Sequence, residues 1–345
     1  MNKILILIAG LTGGGLYLAN VSAQQSDELI AELRQRMDSE GLTLADFKND
    51  GLVLVRFGEQ LPVYVPFPVD NRSIVYSFFA PTGRAIALME HDEHGRVRVY
   101  HMDGRFVAAT RGYVVKAVRA LALTADLKAL SFCGTYVTRG KAGLDEQRLE
   151  NGVLAVEIVT DQITRIQDFE NPDEDLYRCG QMSWSPGGNQ LAYDYDGTIY
   201  LWDADRQSSR LLVKGTMPSW SPEGEWIAFR NSEGDLQLIS PDGVLGTVLY
   251  GGGNVGGGVE WSPDGRYIAF GIEEYVPPYE TSRLMVLRIR DGRIVKVKAF
   301  GDLSLRHRIM WAYFDFAKTP WKYPEFYEEL LRKERMRQRG KELRE

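Results

Sequence analysis

The tetrapeptide Ser262-Pro263-Asp264-Gly265, preceded by Trp261, recurs in degraded form along most of the chain and constrains the fold more than any other feature. Trp184-Ser185-Pro186-Gly187-Gly188 and Trp220-Ser221-Pro222-Glu223-Gly224 are close copies. Apolar runs follow all three, at Gln190-Leu191-Ala192-Tyr193, Trp226-Ile227-Ala228-Phe229 and Tyr267-Ile268-Ala269-Phe270. Looser versions stand upstream at Ala80-Pro81-Thr82-Gly83 and Thr124-Ala125-Asp126-Leu127. Pro presets φ at the second turn position, Asp bonds the local backbone, and Gly accepts the left-handed conformation that closes a hairpin. Each copy therefore reads as strand, tight turn, strand. From Pro81, Ala125, Pro186, Pro222 and Pro263 the spacings are 44, 61, 36 and 41 residues. A period of about 40 residues with several short strands per unit marks a propeller blade, and an insertion accounts for the long interval.

The expected fold is thus all-β: a β-propeller of six four-stranded blades with short helices at both ends. Five units are visible. The sixth is expected to combine residues 52–67 with 308–316, because joining the two ends of the chain removes the exposed edges of the first and last sheets. Lys3, the apolar stretch 4–11 and Val21-Ser22-Ala23 have the layout of a secretory signal peptide over residues 1–23. A retained membrane anchor is the other reading of that stretch. Residues 24–50 are expected to form a helical segment, capped by Ser26 with Leu29, Ile30, Leu33 and Met37 on its apolar face. The propeller then occupies 51–316 and a charged helical tail 317–345. With the signal removed, the expectation is a periplasmic or secreted protein with no stable membrane insertion. Cys133 and Cys179 are an even pair suited to one bridge in an oxidising compartment, or to two buried thiols. Strand direction places them on adjacent blades at similar height.

A net charge of −6 argues against a duplex nucleic-acid partner. Alternating strand direction puts the Pro-containing turns on one face of the disc and the segments 134–152, 168–178, 251–258 and 274–283 on the other. Binding residues concentrate on elaborated loops held by a rigid scaffold. Those segments are rich in carboxylates, which reads as ordinary solvated loops or as a collar for a protein or peptide with a basic segment. The candidate partner-binding residues are Asp173, Glu174, Glu273, Glu274, Tyr275 and Tyr279. Trp184, Trp220 and Trp261, equivalent in three units, are expected to fill space between blades.

The string Trp-Ser-Pro-Asp-Gly-x-x-Ile-Ala-Phe resembles the repeat of TolB-type β-propellers, which also occurs in the propeller domains of prolyl oligopeptidases. The resemblance covers residues 73–293 and is most specific over 182–293. It implies an exported propeller used as a binding platform. Only about 27 residues separate the cleavage site from Gly51, too few for the N-terminal α/β domain that TolB carries, so the chain is TolB-like rather than TolB. There is no Gly-x-Ser-x-Gly elbow and no Gly-Lys-Ser/Thr phosphate loop. Gly251 to Gly256 fits Gly-x-Gly-x-x-Gly but leads into a strand rather than a helix. His91 and His94 share a loop with Asp92 and Glu93, whereas His101 lies beyond the next strand, so no metal set is nominated. No catalytic residue and no cofactor is expected. The leading reading is a non-enzymatic exported scaffold that binds a protein or peptide on its long-loop face. The alternative is a hydrolase or lyase acting on a glycan or peptide.

Overall fold

Each degenerate turn closes by the same backbone hydrogen bond, and all but the one at Ala80 add a hydroxyl. At 262–265 the Gly265 N–H donates to the Ser262 carbonyl at 2.9 Å, and the Ser262 hydroxyl donates to Asp264 Oδ1 at 2.6 Å. That hydroxyl also accepts the Tyr267 N–H at 2.9 Å, which starts the next strand. Ser185 and Ser221 accept the N–H groups of Gln190 and Trp226 in the same way, and Thr124 accepts that of Ala129. The left-handed position is held by Gly83, Gly188, Gly224 and Gly265, and by Leu127 at φ 63°.

The computed structural model describes residues 23–48, 51–59, 62–67, 74–90, 96–114, 120–139, 147–276, 279–297 and 310–318. They form six antiparallel blades. After the helix α1 (Ala23–Glu40), blade 1 is β1 (Leu42–Lys48), β2 (Gly51–Leu54) and β3 (Val63–Pro66), with β25 (Met310–Tyr313) from the far end of the chain as its innermost strand. Blade 2 is β4 (Ile74–Phe79), β5 (Ala85–Glu90), β6 (Val97–His101) and β7 (Phe106–Ala109). Blade 3 has an inner strand in two pieces, β8 (Tyr113–Val114) and β9 (Leu121–Leu123). Both pair with β10 (Ala129–Arg139), which is followed by β11 (Gln147–Glu157) and β12 (Ile163–Asp168). The helix α2 (Pro172–Arg178) leads into blade 4: β13 (Cys179–Trp184), β14 (Gln190–Tyr195), β15 (Thr198–Asp203) and β16 (Ser208–Lys214). Blade 5 is β17 (Thr216–Trp220), β18 (Ile227–Arg230), β19 (Leu236–Ile239) and β20 (Gly246–Tyr250). Blade 6 is β21 (Val255–Trp261), β22 (Tyr267–Val276), β23 (Tyr279–Arg288) and β24 (Arg293–Lys296).

Six blades and closure from both ends of the chain match the sequence reading, with two corrections. Residues 24–50 are not helical throughout: Gly41, at φ 76°, ends α1, and β1 enters the closing blade between β25 and β2. The segment 134–152 is not a loop hung on the end of a strand. Its described residues continue β10 and β11 in register, Thr135 against Asn151 and Arg139 against Gln147. Residues 1–22 and most of the expected C-terminal tail lie outside the described residues.

The cores lie between blades. At the seam of blades 6 and 1, Leu29, Leu33 and Met37 of α1 are buried against Tyr267, Val286 and Val295 of blade 6 and Leu44 and Val53 of blade 1. Polar contacts tie the helix to blade 6: Tyr267 donates to Glu32 at 2.5 Å, Glu32 also pairs with Arg288, and Arg36 pairs with Asp264. Cys133 and Cys179 form a disulfide, with Cα atoms 6.4 Å apart, that links the second strand of blade 3 to the first residue of blade 4.

Candidate functional site

The two faces of the disc differ in the way strand direction predicts. On one face, short turns nest around the axis: Gly224 sits against Pro186, Gly265 against Glu223, and Gly83 against Pro263. The last contact closes the rosette over blade 1, which has no such turn because its first two strands come from opposite ends of the chain. On the other face two hairpins stand out. β10 and β11 run for 11 residues and β22 and β23 for 10, against 4 to 6 in the corresponding strands of blades 2, 4 and 5. The extra residues extend each hairpin by roughly 15 Å. Blades 3 and 6 are three apart in a ring of six, so these arms rise on opposite sides of the axis.

The sequence-derived binding residues divide between two places. Glu273, Glu274, Tyr275 and Tyr279 all belong to the blade 6 arm, where Tyr275 pairs with Glu280 and Val276 with Tyr279. Glu273 is exposed, and its carboxylate lies over Gly256. Asp173 and Glu174 lie on α2, at the seam of blades 3 and 4, and Glu174 is exposed. The acidic residues thus form two separate groups across the ring. Asp175 belongs to the scaffold: it accepts the Asn171 N–H and the Tyr195 hydroxyl, both at 2.9 Å. The Asn171 bond is the main reason its carboxyl is held below the usual range. Tyr177, 67% exposed on α2, was not singled out from the sequence, where nothing marks it from other tyrosines. The glycine-rich loop 251–256 is folded around a protein carboxylate: Gly252 and Gly253 both donate to Asp235 Oδ1 at 2.9 Å. His101 ends β6 at the short-turn face. His91, His94 and His307 lie outside the described residues, and among the described ones no three His, Cys, Asp or Glu side chains gather as a metal set would.

Three inner strands are tied together by one side chain. Gln181 of β13 donates from Nε2 to the carbonyls of Pro218 and Val259 and to Glu260 Oε1, at 2.8 to 3.1 Å. One amide thereby joins the inner strands of blades 4, 5 and 6. Beside it, buried Asp194 accepts the N–H of Met217, itself at φ 60°. Burial pushes the Asp194 carboxyl up to about 6, against the lowering effect of its backbone donors. Toward the short-turn face the channel widens into a cavity of ≈ 230 Å³. Trp184, Trp220 and Trp261 line it together with residues of every other blade, among them Phe79, Leu121 and Met310. The three tryptophans do fill space between blades, at 4 to 8% exposure, but they also wall this cavity. Their equivalence in sequence carried the first role and gave no sign of the second.

No protein-family model matches the chain, and no curated protein does. Solved structures do. TolB from Acinetobacter baumannii superposes with a TM-score of 0.53 at 12% identity, over 84% of this chain and 73% of that one. A putative TolB from Agrobacterium tumefaciens gives 0.48 at 12% identity, over 79% and 98%. The propeller domain of Myceliophteria thermophila Cps50 (Swd1) gives 0.43 at 13%, over 66% and 68%. No described helix is long and apolar enough to cross a membrane. At such identities the likeness is one of fold: the chain is a TolB-like six-bladed β-propeller.

Proposed function

We propose that this protein is an exported, non-enzymatic scaffold that binds a protein or peptide segment on its long-loop face, between the arms of blades 3 and 6. The observation that carries the reading is the pair of lengthened hairpins on opposite blades of one face. Four-stranded blades are complete without them, so the extra strand length serves no closure of the ring. The disulfide holds the base of the blade 3 arm to blade 4, which keeps that side of the cleft fixed. Exposed Glu174 and Glu273, with Asp173 and Glu274 beside them in sequence, favour a partner segment carrying Lys or Arg. The leader expected over residues 1–23 supports export, and N-terminal sequencing of the mature protein should begin at Gln24.

The test is capture of partners from an envelope extract by the mature protein, with crosslinking to identify the contact. Reversing charge at Asp173, Glu174, Glu273 and Glu274 together should weaken capture about tenfold or more, as for the loss of several rim charges. Undiminished capture by that variant would remove the acidic groups from the reading. Undiminished capture after shortening both arms would remove the face itself.

A further inference from the structure

The cavity on the short-turn face has apolar walls and unused hydrogen-bonding capacity. One residue before the lining Met182, the Gln181 amide donates to Pro218, Val259 and the lining Glu260, which fixes the inner strands of blades 4, 5 and 6 beside the cavity. Its walls are mainly apolar and include Trp184, Trp220, Trp261 and Phe79, with Glu260 the carboxylate residue among them. Set into them are Ser183 and Ser219, one residue before two of the tryptophans. Each serine oxygen accepts the backbone N–H of the next blade's tryptophan: Trp220 to Ser183 at 3.0 Å, Trp261 to Ser219 at 3.2 Å. Neither hydroxyl proton has an acceptor among the described residues. A hydroxyl carries one donor and two acceptor sites, so each serine can donate one further bond. The volume is below that of drug-sized sites, which run from about 300 to 1,000 Å³. It suits a single bulky side chain rather than a whole cofactor.

We propose that this cavity is a second binding site, a socket for one bulky apolar side chain on an extended peptide segment, whose flanking carbonyl oxygens accept from Ser183 and Ser219. The aromatic and aliphatic walls favour a large apolar side chain over a small one, since burial gain follows apolar area, and the lining carboxylate Glu260 is held by the Gln181 amide. The spare serine donors select backbone carbonyls, which every peptide offers at a fixed distance from its side chain. The short turns make the rim rigid, so the site is preformed and its ligand alone loses freedom. This site faces away from the arms and stands or falls independently of the long-loop reading.

The probes are N-acetyl amino-acid methylamides of phenylalanine, leucine, lysine and glycine, each titrated against the mature full chain by saturation-transfer NMR. Phenylalanine and leucine derivatives should bind and compete with each other, with lysine and glycine at least tenfold weaker. Ala125→Trp, placed at the half-buried rim, should abolish binding. Ser183→Ala with Ser219→Ala should weaken it about thirtyfold, the sum of two ordinary hydrogen bonds. Equal binding of all four probes, no binding of any, or undiminished binding by Ala125→Trp would overturn the proposal. If the rim variant fails to fold, the serine pair decides, and unchanged affinity there counts against the socket.

Discussion

In blades 4, 5 and 6 the repeat itself seals the seams, whereas at the 3/4 and 6/1 seams, where the repeat has decayed or been cut, the chain uses a disulfide and a helix. Trp220 reaches Ser183, and Trp261 reaches Ser219, by the same bond one blade apart. Blade 3 has Ala122 and Leu123 at the corresponding positions and can make no such bond to blade 4; there Cys133 and Cys179 are joined. Blade 1 has no connecting turn between its inner two strands, and α1 covers the join with both apolar and ionic contacts. A closed ring is only as stable as its weakest seam, since opening any one of them recreates two sheet edges. At these two seams a single-use device stands in for the repeated one.

The largest effect should come from the 3/4 seam. Replacing Cys133 and Cys179 by serine frees a closed loop with a sequence separation of 46. The loop-entropy relation gives a loss of about 4 kcal/mol. Ser183→Ala, at the neighbouring 4/5 seam, should cost only about 1 kcal/mol, one hydrogen bond. Urea denaturation of both variants tests the contrast, and equal losses would show that the disulfide is not the special element of its seam. Next in size is the 6/1 seam. Leu33 is fully buried, and Leu33→Ala should cost about 3 kcal/mol. Hydrogen exchange should show the loss first in the β25–β1 pairing, for example Thr43 with Ala312, and not in blade 4.

A rise in pH through the acid range should act on the two regions with opposite sign. For Glu32, burial acts to raise the pKa, but the Tyr267 hydrogen bond and the Arg288 charge outweigh it, so the folded value lies below the ordinary one. Its contribution at the 6/1 seam is present above the unfolded pKa and is lost as pH falls through the folded one. Asp194, in the regular part of the ring, rises from 3.8 to about 6. The native state then holds its proton more tightly, so stability declines as pH rises from about 4 to 6 and is level above, by about 2–3 kcal/mol. Asp194→Asn should abolish that decline, while Glu32→Gln should flatten the acid limb. Identical pH profiles for the two variants would refute the assignment of opposite roles.

How far the molecule was legible follows the same division. Turn chemistry gave the blades, their order and the two faces, because Pro, Asp and Gly act locally. Strand direction gave the neighbouring cysteines, and helical spacing gave Leu29, Leu33 and Met37. β1 was missed although Gly41 marks the end of α1, because its partners β2 and β25 are set by closure and lie at both ends of the chain. The arms look like loops in the sequence, since nothing there shows that pairing continues beyond the blade. The cavity was missed for a related reason: a residue's burial can be read from its repeat position, but the space six inner strands enclose depends on all of them at once.

The smallest expected effect lies in blade 3, at the turn where the repeat has lost its glycine. Leu127 holds φ 63° where its counterparts are Gly188, Gly224 and Gly265. A left-handed conformation costs a residue with a Cβ about 1–2 kcal/mol. Leucine remains because its side chain packs, partly buried, on the core between blades 2 and 3. The two terms oppose each other, so Leu127→Gly relieves strain, loses packing and gains unfolded-state freedom, and its net effect is close to zero. Leu127→Ala loses the same packing and keeps the strain. Glycine should therefore be the more stable of the two variants by about 1 kcal/mol, the reverse of their usual order in regular structure. Gly265→Ala, at the intact turn of blade 6, should lose about as much as separates them. If alanine proves equal or better at 127, blade 3 has no left-handed turn there, and the contrast between decayed and intact blades must rest on the disulfide and the helix alone.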